Sequence, residues 1–131
     1  MEKDIQELLI EIRNILEVMK VINQDGVFNV GKIAELTKKK IDADDEEYTD
    51  EEKIERDTYL ARLKSNRRDI IKCEAEFNKL RDIINGYCKK NLRSPGIDKV
   101  VREIGNIHSS VDTFETVIEV IEEDKKDDGW E

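Results

Sequence analysis

The sequence predicts an all-α protein: an antiparallel bundle of three main helices and one short helix, with coiled-coil-like heptad packing. Apolar residues in three long stretches recur at intervals of three and four residues, which is the spacing of a helix that packs along a seam. Charged residues make up 42% of the chain and aromatic residues 5%, with a single proline. This composition suits long, solvent-exposed helices and suits β-sandwiches and barrels badly.

The first helix is predicted at about 4–22. Its apolar stripe widens at Leu9 and Leu16, and a stripe of this width suits a helix that touches two neighbours. The main stripe repeats at the same intervals through Ile5, Leu8, Ile12, Ile15, Met19 and Ile22.

A turn and a short helix are predicted next. Residues 23–26 have the sequence Asn-Gln-Asp-Gly, and Gly26 can take the positive φ of a C-terminal helix cap. Asn29 then serves as the N-cap of a short helix at about 30–41. An acidic linker at 42–48 follows, because its carboxylates repel one another and it has no apolar anchor.

The second main helix is predicted at about 50–92. It begins after Thr49, since the sequence Thr-Asp-Glu-Glu places Glu52 where a capping box needs it. One polar residue, Asn66, interrupts its seam, and such a residue can fix the register of packing at a cost in stability. The seam consists of Tyr59, Leu63, Asn66, Ile70, Cys73, Phe77, Leu80, Ile84 and Tyr87.

The last main helix is predicted at about 95–123. Ser94 and Pro95 supply an N-cap and a proline at the first helical position. Gly105 inside this helix costs about 1 kcal/mol relative to alanine, so we expect a close backbone contact there. The seam is the most regular in the chain and consists of Ile97, Val100, Ile104, Ile107, Val111, Phe114, Ile118 and Ile121.

The chain is predicted to form one domain, 1–123, followed by a flexible acidic tail, 124–131. No apolar run approaches the roughly 18 residues that a bilayer span needs, and the N-terminal sequence has no secretory signal. We therefore expect a cytoplasmic protein that does not enter a membrane.

Cys73 and Cys88 lie about 22 Å apart on one predicted helix, too far for a disulfide. No cysteine–histidine cluster predicts a metal site or a cofactor.

Our leading functional prediction is a non-catalytic protein-interaction or regulatory module that binds a partner protein or itself. The helix at 50–92 is much longer than the helix at 4–22, so part of its seam would stay open to a partner. Tyr59, Leu60 and Leu63 lie in this part of the helix. Trp130, in the predicted tail, is a further candidate because a lone aromatic side chain can anchor a docking contact.

The alternative is a small helical subunit of a nucleic-acid-containing complex. The chain carries a net charge of −9, yet residues 62–102 hold twelve basic and five acidic residues, a net charge of +7. Basic residues pair with phosphates at short range even on an acidic protein, or they pair internally with the acidic first and last helices. RNA and DNA binding measured against salt separates these cases. The candidate contacts are Arg67, Arg68, Lys89, Lys90 and Arg93.

Two further hypotheses concern nucleic acid in other ways. Acid-lined helices can imitate a nucleic-acid backbone and block a basic groove on a partner.

Arg102 followed by five residues and then His108 resembles the motif of HEPN-type ribonucleases, with Glu103 where that family favours a polar residue. The resemblance implies a dimer that cleaves RNA across its interface. A lone histidine in an amphipathic helix is more often structural, and with no phosphate loop or nucleophile–base pair we predict no enzyme and no catalytic residue.

Overall fold

The structure is a computed structural model that describes residues 5–42, 48–87 and 95–127. These residues form three α-helices: α1 (Ile5–Asp42), α2 (Asp50–Tyr87) and α3 (Pro95–Asp127). The described residues contain no strand, so the all-helical prediction is confirmed. Helix α3 runs four residues past its predicted end. Residues 88–92, which the sequence assigned to the second main helix, lie outside the described residues.

Each helix packs against both of the others. Between α2 and α3, Lys64 pairs with Glu122 and Glu74 pairs with His108. The earlier residue of α2 contacts the later residue of α3, so these two helices run in opposite directions. Between α1 and α3, Lys20 lies beside Glu103, and residues 30–38 of α1 share a surface groove with residues 116–121 of α3. Numbers rise together in this pair, so α1 and α3 run in the same direction.

The core lies along the line where the three helices meet. Every seam residue predicted for α3 from Val100 to Ile121 is buried. Helix α1 contributes six buried apolar side chains and α2 contributes six: Leu8, Ile12, Leu16, Met19, Ile33 and Leu36 from α1, and Leu60, Leu63, Ile70, Phe77, Leu80 and Ile84 from α2. Burying side chains of this size is the main favourable term that holds helices together in water.

The predicted break between 22 and 30 is wrong. Helix α1 is continuous over 38 residues, so the separate short helix at 30–41 is its C-terminal part. Gly26 and Asn29 are buried inside the helix and do not cap two helices. They occupy the interior face between Met19 and Ile33, at intervals of seven, three and four residues. Contacts with the neighbouring helices on this face outweigh the turn preference of the local sequence.

The close backbone approach lies at Gly26 and not at Gly105, where the sequence predicted it. A Cβ atom on Gly26 would lie 2.5 Å from Cζ of Phe114, whose ring is 1% exposed. A Cβ atom on Gly105 would meet nothing within 4 Å. Helix α1 therefore accommodates the ring of Phe114 because residue 26 has no side chain.

The N-terminus of α2 has the predicted capping box. The backbone N–H of Thr49 donates to the Glu52 carboxylate at 2.9 Å, and the Glu52 N–H donates to Thr49 Oγ1 at 3.2 Å. The hydrogen bond from the Thr49 backbone holds the pKa of Glu52 below its ordinary value.

Tyr48, placed at the end of the predicted acidic linker, is buried. Its hydroxyl lies 3.2 Å from Thr37 Oγ1, and its ring lies under the guanidinium group of Arg56.

No helix among the described residues is both long enough and apolar enough to cross a membrane.

Candidate functional site

Two of the predicted partner-binding residues belong to the core. Leu60 and Leu63 are 2% and 0% exposed, so the structure corrects their assignment to a partner surface. Tyr59 is half-buried and packs edge-on against Phe28 of α1, with ring centroids 6.4 Å apart. Trp130 lies outside the described residues.

The length mismatch that motivated an open seam beside α2 is also absent. Helices α1 and α2 both contain 38 residues, because α1 continues through the region interpreted as a turn. The C-terminal half of α1 therefore covers the N-terminal half of α2.

A polar cluster of two buried asparagines and one exposed aspartate lies at the contact between α1 and α2. Asn29 Nδ2 donates to Asn66 Oδ1 at 2.8 Å, and Asn66 Nδ2 donates to Asp25 Oδ2 at 2.9 Å. Asn29 is 0% exposed and Asn66 is 7% exposed. The sequence singled out Asn66 as a polar residue in the seam. It missed the pairing with Asp25 and Asn29 because it assigned Asp25 to a turn and Asn29 to a helix N-cap. A paired polar group in an apolar seam disfavours other alignments of the two helices, since shifting one helix would leave the group unpaired.

The basic segment at 62–102 is only partly paired with other helices. Lys64 pairs with Glu122 of α3, whereas Arg68 pairs with its neighbour Asp69. Arg67 is half-buried, and Lys72 and Lys79 are exposed. Lys89, Lys90 and Arg93 lie outside the described residues. Nucleic-acid binding by this segment stays a prediction.

His108 lies on the side of α3 that faces α2, where it contacts Glu74. Its Nδ1 lies 2.8 Å from the Glu74 carboxylate. This hydrogen bond, together with the negative charge of Glu74, raises the pKa of His108 above its ordinary value. Arg102 is exposed and lies six residues away on the helix, so the two side chains leave α3 in directions about 120° apart.

The pairing of His108 with Glu74 makes the contact between α2 and α3 dependent on pH. Because the folded pKa is raised, the stabilisation is fully present below the unfolded pKa of about 6.5 and is lost as the pH rises through the folded value. Replacing Glu74 with glutamine is expected to return the pKa of His108 towards its ordinary value. Because the chain has a single histidine, the imidazole signals in an NMR titration belong to His108 alone and report its pKa directly.

The matched control is Glu76→Gln, which removes an exposed carboxylate of the same helix that does not contribute to the shift. Equal pKa values of His108 in the two variants would show that Glu74 does not hold the imidazole in solution.

Other reactive groups have little support in the structure. Cys73 is half-buried, and its burial raises the pKa of the thiol, which lowers the fraction of reactive thiolate. No group of three or more histidine, cysteine, aspartate or glutamate side chains in the described part of the chain is arranged to hold a metal ion.

An apolar groove lies on the surface between α1 and α3. It has a volume of about 400 Å³ and lies at the end of the bundle where both helices reach their C-terminal thirds. Buried Ile33 and Ile121 line it, together with half-buried Val30 and Val117. Val120, also in the lining, is 54% exposed. The remaining lining residues are Ala34, Thr37, Lys38 and Thr116.

The same two helices enclose a different surface between their N-terminal halves. There a second groove is lined mainly by charged side chains, with Lys20 and Glu103 3.7 Å apart. The lining between α1 and α3 therefore changes from mainly charged residues in their N-terminal halves to mainly apolar residues in their C-terminal thirds. The apolar end is the candidate site for a partner, because no described element covers it and covering apolar surface favours association.

The sequence contains a weak indication of the groove. Val30, Ala34, Val117 and Val120 are apolar residues that flank the interior stripes of α1 and α3. Residues at such positions widen a stripe beyond the seam. The sequence did not indicate that α1 and α3 would face each other there, since α1 was interpreted as ending before that point.

The chain matches no known protein-family model, and no curated protein or solved structure shows significant similarity to it.

Proposed function

We propose that this chain is a non-catalytic interaction module, a three-helix bundle that binds another protein through the apolar groove between α1 and α3. The observation that carries the proposal is the lining of the groove, which is almost entirely apolar and includes the largely exposed Val120. Covering this surface would remove apolar area from water and so favour association. The proposal keeps the predicted class of function and moves the binding surface from α2 to α1 and α3.

We also propose that the helices pack in a coiled-coil-like manner, with antiparallel alignment of α2 against both neighbours. The spacing of buried residues supports this, since the interior positions of α3 recur every three or four residues from Val100 to Ile121. Such packing would make the bundle a rigid support for the groove.

A photo-crosslinking residue placed at position 120 tests the proposal. In cells that produce the full chain, this variant is expected to form discrete crosslinked products with a partner protein or with a second copy. The matched control places the same residue at position 21, because Val21 is 67% exposed and does not line the groove. Light scattering on the purified chain identifies self-association separately.

The proposal predicts that Val120→Glu removes the crosslinks formed from a second groove position, Thr116, without unfolding the protein, since both side chains are exposed. Equal crosslinking from positions 120 and 21 would argue against the groove. So would a monomer that forms no product from position 120.

A further inference from the structure

The end of helix α3 lies close to the apolar groove. Helix α3 ends at Asp127, seven residues after Val120 and six after Ile121, which both line the groove. At the rise of an α-helix, this separation is about 9–10 Å. Seven residues are close to two helical turns, so Asp127 lies on the same side of α3 as Val120. The segment 128–131, outside the described residues, therefore continues from a point beside the groove.

The sequence after α3 predicts that the chain turns back towards the groove. Residues 128–130 have the sequence Asp-Gly-Trp. Glycine is the residue that most often follows a helix with a positive φ, and the residue after it commonly contacts the last turn of that helix. By this pattern Trp130 lies over positions 124 and 125, and position 124 is one turn beyond Val120.

The length of the segment is sufficient for this contact. Trp130 is three residues past Asp127, so their Cα atoms lie at most about 10 Å apart. The indole side chain extends further from that point. The ring of Trp130 can therefore reach Val120 and Ile121, the part of the groove wall nearest the end of α3.

The chemistry of the segment matches the lining of the groove. A tryptophan ring buries about 150–250 Å² of largely apolar surface, and the lining is apolar except for two threonines and Lys38. Lys38 forms no ion pair with a described side chain. Glu131, which follows Trp130, supplies a carboxylate for this cation.

We infer that Trp130 of the same chain fills the groove when no partner is bound, with its ring against Val120 and Ile33 and with Glu131 beside Lys38. A short tether gives an effective concentration of about millimolar, so even a weak contact is populated. A partner protein then enters the groove only by displacing Trp130. This autoinhibition rests on the proposed function, whereas the contact itself rests on the groove alone.

Intrinsic fluorescence of the full chain tests the contact, because Trp130 is the only tryptophan. The wild type is expected to emit at shorter wavelength than the urea-unfolded chain and to be quenched less by acrylamide. Val120→Glu and Ala34→Glu change exposed positions on opposite walls of the groove. Each is expected to shift the emission to longer wavelength and to increase quenching. A ring that packs only on the last turn of α3 would not respond to Ala34→Glu.

The matched controls are Val21→Glu and Ala75→Glu, the same substitutions at exposed positions outside the groove. Both are expected to leave the emission unchanged, and circular dichroism checks that all four variants keep their helices. Equal emission from the folded and unfolded wild type would overturn the inference, as would equal shifts in variants and controls. A shift on dilution of the wild type would also overturn it, because Trp130 would then enter the groove of a second copy.

The crosslinking assay from position 120 tests the autoinhibition. Trp130→Ser is expected to raise the yield of products with a partner protein, whereas Trp130→Phe, which keeps an aromatic ring, is expected to stay close to the wild type. An unchanged or lower yield with Trp130→Ser would overturn the autoinhibition. If no variant forms a product, the proposed function fails, and the fluorescence still decides whether Trp130 fills the groove.

Discussion

Replacing Gly26 with alanine is expected to lower the free energy of unfolding by about 1–2 kcal/mol. The new Cβ would lie 2.5 Å from Cζ and 2.6 Å from Cε2 of Phe114, so the ring or the helix must shift. Overpacking of a filled core costs about 1–3 kcal/mol, and this cost exceeds the gain of up to about 1 kcal/mol that alanine brings to a helix interior. Urea denaturation measures the change, with the slope checking that the unfolding stays two-state.

Gly31→Ala is the matched control in the same helix. A Cβ atom there meets nothing within 4 Å, so only the helix preference acts, and the variant is expected to be about 0.5–1 kcal/mol more stable than the wild type. The same substitution five residues apart therefore has opposite effects. Equal stability of the two variants would mean that the ring of Phe114 does not rest on α1.

A double-mutant cycle with Phe114→Leu isolates the contact. Leucine is smaller than phenylalanine and can change rotamer, so part of the cost of Gly26→Ala is expected to disappear in the Phe114→Leu background. A coupling energy of about 1–2 kcal/mol is expected, within the range for residues in direct contact. No coupling is expected between Gly31→Ala and Phe114→Leu.

Much of the fold follows from apolar spacing alone. The stripe of α3 predicted which residues are buried from Val100 to Ile121, and the Thr49–Glu52 capping box predicted where α2 begins. Both signals are local, because a helix shows its interior face and its first turn within a few residues of sequence. Such features need no knowledge of the neighbouring helices.

The break predicted in α1 shows where local signals fail. Gly26 and Asn29 favour turns and caps in isolation, but in the bundle each is the residue that one neighbour requires. Gly26 makes room for Phe114, and Asn29 pairs with Asn66 across 37 residues of sequence. Neither partner can be inferred from the residues around position 26. The groove was missed for the same reason, since its walls are residues of α1 and α3 that face each other only when α1 is continuous.

The second large effect is expected at Asn66, the polar residue in the seam of α2. Asn66→Leu removes the acceptor for Asn29 Nδ2 and the donor to Asp25. Asn29, fully buried, then keeps only a longer contact of 3.4 Å with the Asp25 carboxylate. Leaving a buried amide poorly satisfied costs about 1–3 kcal/mol, so urea denaturation is expected to show a loss of about 2 kcal/mol. Asn14→Leu, on the exposed side of α1, is expected to change stability by less than about 0.5 kcal/mol.

The double variant Asn29→Leu with Asn66→Leu separates stability from specificity. Replacing both partners by apolar side chains of similar size removes the unsatisfied group, so the double variant is expected to be more stable than Asn66→Leu alone. If the cluster sets the alignment of α1 on α2, the amide NMR spectrum of the double variant broadens or doubles although its stability recovers. A single set of sharp resonances would show instead that Gly26, Phe114 and the apolar core suffice to fix the alignment without the polar cluster.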